Sequence, residues 1–140
     1  IKAIQGLINS FAKKDLMLAR SLNELYETIR DFWIYEDKGK IVGCCALHIS
    51  WDDLAEVKSL AVKKEKQHKG IGRELVLTCI GEARVLGAKK LFVLTYKPDY
   101  FKKFGFVKIN HSQLPHKIWV ECIRCAKFPD CQETALIKKL

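Results

Sequence analysis

Residues Glu56 to Leu86, EVKSLAVKKEKQHKGIGRELVLTCIGEARVL, constrain the fold more than any other stretch. They read as a strand, then a basic turn bearing two glycines, then a long amphipathic helix. Val57, Leu60 and Val62 give Glu56 to Val62 extended character, and polarity changes abruptly at Lys63, where the strand should end. From Gly70 onward Leu75, Val76, Cys79, Ile80, Ala83 and Leu86 recur at steps of one, three and four. That spacing lays them on one helical face, and Gly87 supplies a stop. Between strand and helix lies Gln67-His68-Lys69-Gly70-Ile71-Gly72. Glycines beside the first turn of a helix let an anion approach backbone N–H groups that have no partner inside the helix, so a phosphate fits there.

Two phosphate motifs are excluded by what the turn lacks. A nucleotide-triphosphate loop would end in Gly-Lys-Ser/Thr, whereas Gly72 is followed by Arg73 and Glu74. A dinucleotide fingerprint would need a third glycine where Leu75 stands. What is left, a strand followed by Gln-x-x-Gly-x-Gly, resembles the acetyl-CoA pyrophosphate loop of the GNAT superfamily of N-acetyltransferases. The same residues would also suit a solvated basic loop on another α/β domain.

Composition narrows the partners. A chain of 140 residues, 49% hydrophobic and 29% charged, is expected to form one domain over 1–140. At that length roughly two-thirds of the unfolded surface is buried, so no disulfide is required. No apolar run approaches the length of a membrane span, and a cytoplasmic protein is expected, with no membrane partner. The net charge of +9 calls for anionic partners. Only one basic cluster is dense: Lys63, Lys64, Lys66, His68, Lys69 and Arg73 surround the glycine turn, where they would attract a polyphosphate such as CoA. A nucleic-acid binder would interleave aromatics with a basic strip, and the aromatics here fall in core patterns, so no nucleic-acid partner is expected. The reading admits a homodimer.

The cysteines divide by position. Cys44, Cys45 and Cys79 fall within apolar patterns and read as small core residues. Cys122-x-x-Cys125-x5-Cys131, with His116 six residues upstream, has spacings that a zinc knuckle can use. One pair plus a single is weaker than two paired knuckles, so reduced thiols are the simpler reading and no metal is assigned.

Taken in order, Ile4, Leu7, Ile8 and Phe11 mark an amphipathic helix within Ile1 to Lys14. Ser21-x-x-Glu24 is a capping box that starts a second helix, ending near Arg30. Phe32 to Glu36 and Ile41 to Ile49 read as strands joined through Asp37-Lys38-Gly39-Lys40 in a hairpin. Lys90 to Thr95 is a buried-type strand that should run parallel to the Glu56 strand. Tyr100 to Phe104 reads as a short helical turn, Val107-Lys108-Ile109 as extended, and Thr134 to Leu140 as a closing strand.

This order resembles the GNAT fold over most of the chain, and Phe101-Lys102-Lys103-Phe104-Gly105-Phe106 is similar to the family's aromatic and Gly-Phe motif. The resemblance implies an α/β fold of the α+β kind. Its mixed, mostly antiparallel sheet would hold a central parallel pair that splays apart, with helices flanking it. The family's first strand would lie before Ile1. It further implies acetyl-CoA as co-substrate, its pantetheine arm bonding to the backbone of the Leu60, Ala61 and Val62 strand end. The pyrophosphate would sit at Gln67, His68, Lys69, Gly70, Ile71, Gly72 and Arg73.

Within the family, Leu18-Ala19-Arg20-Ser21, the Glu56 to Val62 strand, the Lys90 to Thr95 strand and Leu114-Pro115 look like bacterial N-acetylglutamate synthases, which acetylate the α-amine of glutamate to start arginine synthesis. That resemblance makes Glu56 the general base and Thr95 the acid for the leaving thiolate, with the oxyanion near the Leu60 N–H. Many family members place a tyrosine where Phe101 stands, and neighbouring Tyr100 is expected to point elsewhere. Arg20, Leu18 and Lys58 would contact the acceptor amino acid, Arg20 through a carboxylate. Near the final strand these synthases carry an arginine and a small hydroxyl residue, where this chain has Gln132 and Thr134. The alternatives are another small-molecule or protein amine as acceptor, or a module that senses CoA without catalysis.

Overall fold

The sheet begins in a hairpin whose turn is written in the sequence. Strands β1 (Phe32–Asp37) and β2 (Lys40–Ile49) pair antiparallel. Lys38 and Gly39 between them both take positive φ, 51° and 75°. That pair of angles belongs to the hairpin turn whose twist matches its strands. The structure, a computed structural model, describes residues 1–115, 118 and 133–140. His116, Cys122, Cys125, Cys131 and Gln132 lie outside the described residues.

Beyond the hairpin, β2 pairs antiparallel with β3 (Leu54–Val62), which starts two residues ahead of Glu56. The chain crosses over through helix α3 (Ile71–Val85) and returns as β4 (Lys90–Thr95), parallel to β3 as expected. Gly87, at φ 87°, ends the crossover helix. A short helix α4 (Pro98–Lys102), begun two residues earlier than expected by Pro98 in its first turn, leads to β5 (Val107–Ile109). Strand β6 (Thr134–Lys139) then inserts between β4 and β5, antiparallel to both. The sheet order is β1-β2-β3-β4-β6-β5, mixed and mostly antiparallel with one parallel pair.

Helices cover both faces. On one, α3 packs through Leu75, Val76, Cys79 and Ile80 against Val57, Leu91 and Val93. Its approach is close: a Cβ on buried Gly43 would lie 3.1 Å from both Ile71 and Leu75. On the other face, α1 (Lys2–Ala12) sets Ile4, Leu7 and Ile8 on Cys44 and Ala61, joined by Leu25 of α2 (Leu22–Thr28). Ser21 caps α2 in the expected box: its Oγ accepts from Glu24 N–H at 3.1 Å, and Glu24 Oε2 accepts from Ser21 N–H at 2.8 Å. One 3-10 turn, Ile29–Asp31, then hands the chain to β1. Cys44, Cys45 and Cys79 are core residues, as expected.

The parallel pair parts early. Strands β3 and β4 are paired only at Leu54–Lys90, Ala55–Leu91 and Glu56–Phe92. From there β4 continues with β6 as far as Thr95–Thr134, whereas β3 bends away. The bend has a local cause. Ser59 sits at φ 56°, and β3 spends one more residue than β2 between the Ala46–Lys58 and Cys44–Ala61 pairs. This is a bulge, and bulges kink a strand and sharpen its twist. It produces the splay that the family resemblance implied. No helix among the described residues is long and apolar enough to cross a membrane.

Candidate active site

The gap between the parted strands opens into a cavity of about 1680 Å³ that reaches from α2 and its preceding segment to the start of α3. It gathers nearly all of the residues singled out from sequence. Leu60, Ala61 and Val62 line it from β3, and Gln67, His68, Gly70, Ile71, Gly72 and Arg73 line it from the turn and the first turn of α3. Glu56, Thr95, Leu18, Arg20 and Lys58 lie on the same wall system. Lys69 is exposed and off the wall.

At the α3 end the backbone supplies the donors. Gly70 takes φ 85° as the N-cap, and no side chain caps this helix. The first-turn N–H groups therefore have no intrahelical partner, and the positive end of the helix dipole faces the cavity. A left-handed cap is cheap only for glycine. His68, at φ 62°, adds a second left-handed residue and turns the loop sharply. Gln67 shapes the loop too: its Nε2 donates to the Val62 carbonyl at 3.0 Å, closing the loop between β3 and α3. Lys66 is drawn off to Asp37 at 2.9 Å, and that hydrogen bond raises its pKa.

Tyr100 corrects an expectation. A Cβ on Gly72 would lie 2.7 Å from the Tyr100 hydroxyl, so this ring stands over the first turn of α3 and lines the cavity. It is braced edge-on by Phe101 and Phe104, each with its centroid 5.4 Å away. On a helix of five residues both Tyr100 and its neighbour Phe101 reach the cavity wall. Burial raises the Tyr100 pKa, so the group stays a hydroxyl donor at neutral pH.

At the other end stands Glu56, 7% exposed and the one buried charged side chain among the described residues. Its strand neighbours in register are His48 on β2 and Phe92 on β4. Lys58 Nζ lies 3.9 Å from Glu56 Oε2, too long for a hydrogen bond but close enough to neutralise charge. Thr95 alternates with Phe92 and Leu94 and so belongs to the opposite sheet face; the cavity touches both because it runs through the gap. Thr95 Oγ1 accepts from the Lys97 N–H at 2.9 Å, which leaves its own proton free to be donated. Arg20 is fixed by α1: its N–H donates to Asn9 Oδ1 at 3.1 Å and its carbonyl accepts from Gln5 Nε2 at 3.3 Å.

Sequence reasoning missed a pair on the same wall. His48 Nδ1 and Asp31 Oδ2 are 2.6 Å apart, and both line the cavity. Seventeen residues separate them, a spacing with no motif; only the register of β2 on β3, which sets His48 opposite Glu56, would have drawn attention to the histidine.

A strand pair that parts beside an uncapped helix N-terminus, with a carboxylate and a hydroxyl on the walls of the gap, offers room and backbone donors for a phosphate-bearing ligand. The acetyltransferase (GNAT) domain pattern matches residues 28–108, and the chain belongs to that family, whose members use acetyl-CoA as co-substrate. An uncharacterised N-acetyltransferase of Chlorobaculum tepidum is 39% identical over 99% of this chain and 89% of its own length. An amino-acid acetyltransferase of Mycobacterium tuberculosis is 35% identical over 89% of this chain and 72% of its own. Among solved structures, N-acetylglutamate synthase of Neisseria gonorrhoeae, complexed with coenzyme A and N-acetyl-glutamate, superposes with a TM-score of 0.88 at 28% identity. That match covers all of this chain and 32% of the synthase chain.

Proposed function

We propose that this chain, as a single acetyltransferase domain, transfers the acetyl group of acetyl-CoA to the α-amine of an amino acid, with glutamate the first candidate. The observation that carries the reading is one continuous cavity with an anion cradle at Gly70–Gly72 and a buried carboxylate, Glu56, flanked by Arg20 and Lys58 at its other end. The donor set fits a coenzyme that carries a pyrophosphate: unpartnered backbone N–H groups, Arg73 and His68 at the cradle, and a strand end from Leu60 to Val62 left unpaired by β4. The relatives named amino-acid acetyltransferase, and the synthase solved with N-acetyl-glutamate, support an amino acid as acceptor.

In this reading Arg20 and Lys58 receive a carboxylate of the acceptor and hold its amine near Glu56. Glu56 takes the ammonium proton, directly or through one water, so that nitrogen attacks the thioester with a free lone pair. The Leu60 N–H, released from β4 by the bulge, faces the developing oxyanion. As the tetrahedral intermediate collapses, Thr95 gives its proton to the departing thiolate, and the second proton of the acceptor nitrogen, lost in the same collapse, restores the Thr95 hydroxyl through solvent. Both reactants are held together and no acyl-enzyme forms, so the rate gain comes from orientation and charge placement.

The experiment is CoA release from acetyl-CoA across a panel of free amino acids, comparing wild type with Glu56→Gln. Turnover with glutamate that disappears in the variant, at unchanged acetyl-CoA binding, supports both the acceptor and the base. Binding of acetyl-CoA without acetylation of any amino acid overturns the acceptor and favours another amine or a sensing module.

A further inference from the structure

The transfer described above leaves one proton-handling pair in the cavity without a task. His48 Nδ1 lies 2.6 Å from Asp31 Oδ2. With Asp31 ionised, so short a contact puts the ring proton on Nδ1, and the neutral imidazole then presents Nε2 as an acceptor. The register of β2 on β3 sets His48 directly across from Glu56, so the two side chains leave the sheet on one face with Cβ atoms about 5 Å apart. Exposure rises outward through this group. Glu56 is 7% exposed, whereas the His48 side chain is 36% exposed and reaches solvent. A buried carboxylate that has taken an ammonium proton must lose it before the next turnover, and its own path to water is narrow.

We propose that His48, held by Asp31, is the proton relay between Glu56 and solvent. The proposal rests on the reading of Glu56 as the base. In each turnover the N–H bond of the acceptor ammonium breaks and its proton bonds to the Glu56 carboxylate. The proton then passes to His48 Nε2, directly or through one water, and the Nδ1–H stays on Asp31, whose charge offsets the imidazolium. Solvent base removes the proton from Nε2 and the ring returns to its starting form. Two protons leave the acceptor nitrogen in each turnover: the first reaches solvent by this path, the second, lost as the tetrahedral intermediate collapses, balances the one that CoA takes up, and no electrons change hands. Other charged groups line the same end of the cavity: Glu24 and Glu27 on α2, Arg20 ahead of it, and Lys58 on β3. Asp31 is the positioning residue and His48 the carrier.

Two measurements test this. Long-range proton–nitrogen NMR of the histidine ring should show the Nδ1–H tautomer at neutral pH, lost in Asp31→Asn; an Nε2–H tautomer overturns the relay, because that nitrogen then has no lone pair to offer. The second is CoA release in dilute buffer by His48→Ala and His48→Gln, with melting and acetyl-CoA binding measured alongside. The glutamine variant fills the site should the alanine variant melt early. Turnover should fall about tenfold or more at unchanged acceptor KM, and added imidazole should restore most of it while leaving wild type unaffected. Wild-type rates in dilute buffer, a loss that imidazole leaves in place, or a loss confined to acceptor KM each overturn the relay. Should wild type acetylate no amine at all, the acceptor reading fails by itself, and the ring tautomer still decides the Asp31–His48 arrangement.

Discussion

Arg20 Nε donates to Ser59 Oγ at 3.4 Å, joining the segment ahead of α2 to the left-handed bulge residue of β3. The bulge bends β3 away from β4, and Arg20 spans the opening that the bend creates. The Arg20 backbone is anchored to α1 through Asn9 and Gln5, and its side chain reaches the strand that carries Glu56 and Lys58. A single guanidinium thus both lines the cavity and holds the bulge of β3.

Arg20→Ala is expected to raise the acceptor KM by about 10- to 100-fold, the equivalent of one charged hydrogen-bond set, at nearly unchanged acetyl-CoA affinity. Arg20→Lys should recover little, because an ammonium has no planar fork to share between Ser59 and a carboxylate. Steady-state kinetics with varied acceptor decide it; an unchanged KM in Arg20→Ala would leave Arg20 with a purely structural place.

Gly72 and Tyr100 should behave as a coupled pair. The Tyr100 hydroxyl would lie 2.7 Å from a Cβ at Gly72, while the next nearest atoms, Tyr100 Cζ and Val62 Cγ2, are at an ordinary 3.7 Å. Gly72→Ala alone should therefore cost about 1–3 kcal/mol through overpacking. In a Tyr100→Phe background the clashing atom is gone, and alanine's helix propensity should turn the same substitution neutral or stabilising by up to ~1 kcal/mol. Thermal melts of the two single variants and the double variant measure the coupling.

Two hydroxyls, those of Thr95 and Tyr100, line the cavity, and kinetics separate them. If Thr95 protonates the thiolate, Thr95→Val should lower kcat by about 100-fold with acetyl-CoA binding intact, and Thr95→Ser should stay close to wild type. The Lys97 N–H that loses its acceptor is exposed and finds water, so the fold should tolerate the change. A larger loss in Tyr100→Phe than in Thr95→Val would transfer the acid role to Tyr100.

What was legible in the sequence was mostly local. The Ser21 capping box, the Lys38-Gly39 turn, the Gly70 cap and the Gly87 stop each depend on a few adjacent residues, and each appears where its residues put it. The parallel placement of β4 followed from handedness and crossover length. Contacts that depend on register or helix tilt were not legible. Ser59 carries no glycine or asparagine signature for a left-handed residue, yet it bends β3; the bulge was reachable only through the splay that the family resemblance implied. His48 meets Asp31 and faces Glu56 only once three elements have assembled, and Tyr100 meets Gly72 only once α4 has docked beside the start of α3.

Alkaline pH should expose the cost of a buried thiol. Burial pushes Cys44 up from 9.0 to about 12, with the Ala61 backbone opposing the shift in part. Below pH 9 folded and unfolded chains both hold this proton, and its contribution to stability is fully present. Between pH 9 and 12 the unfolded thiol ionises while the folded one does not, so the unfolded state binds fewer protons and stability falls as pH rises. The whole interval corresponds to about 4 kcal/mol, of which a titration stopped at pH 11 would see part. Cys45 is also pushed up, by its hydrogen bond with Cys79 and by burial, and adds a slope of the same sign. Cys44→Ala should remove its own share of that slope at a pH-independent cost of about 1 kcal/mol for the lost sulfur packing. Urea midpoints of wild type and variant, measured from pH 8 to 11, should approach one another and then cross, leaving the variant the more stable at the alkaline end. Parallel curves would mean that the Cys44 thiol ionises in the folded protein as readily as in the unfolded chain, and that the α1 face of the sheet admits water.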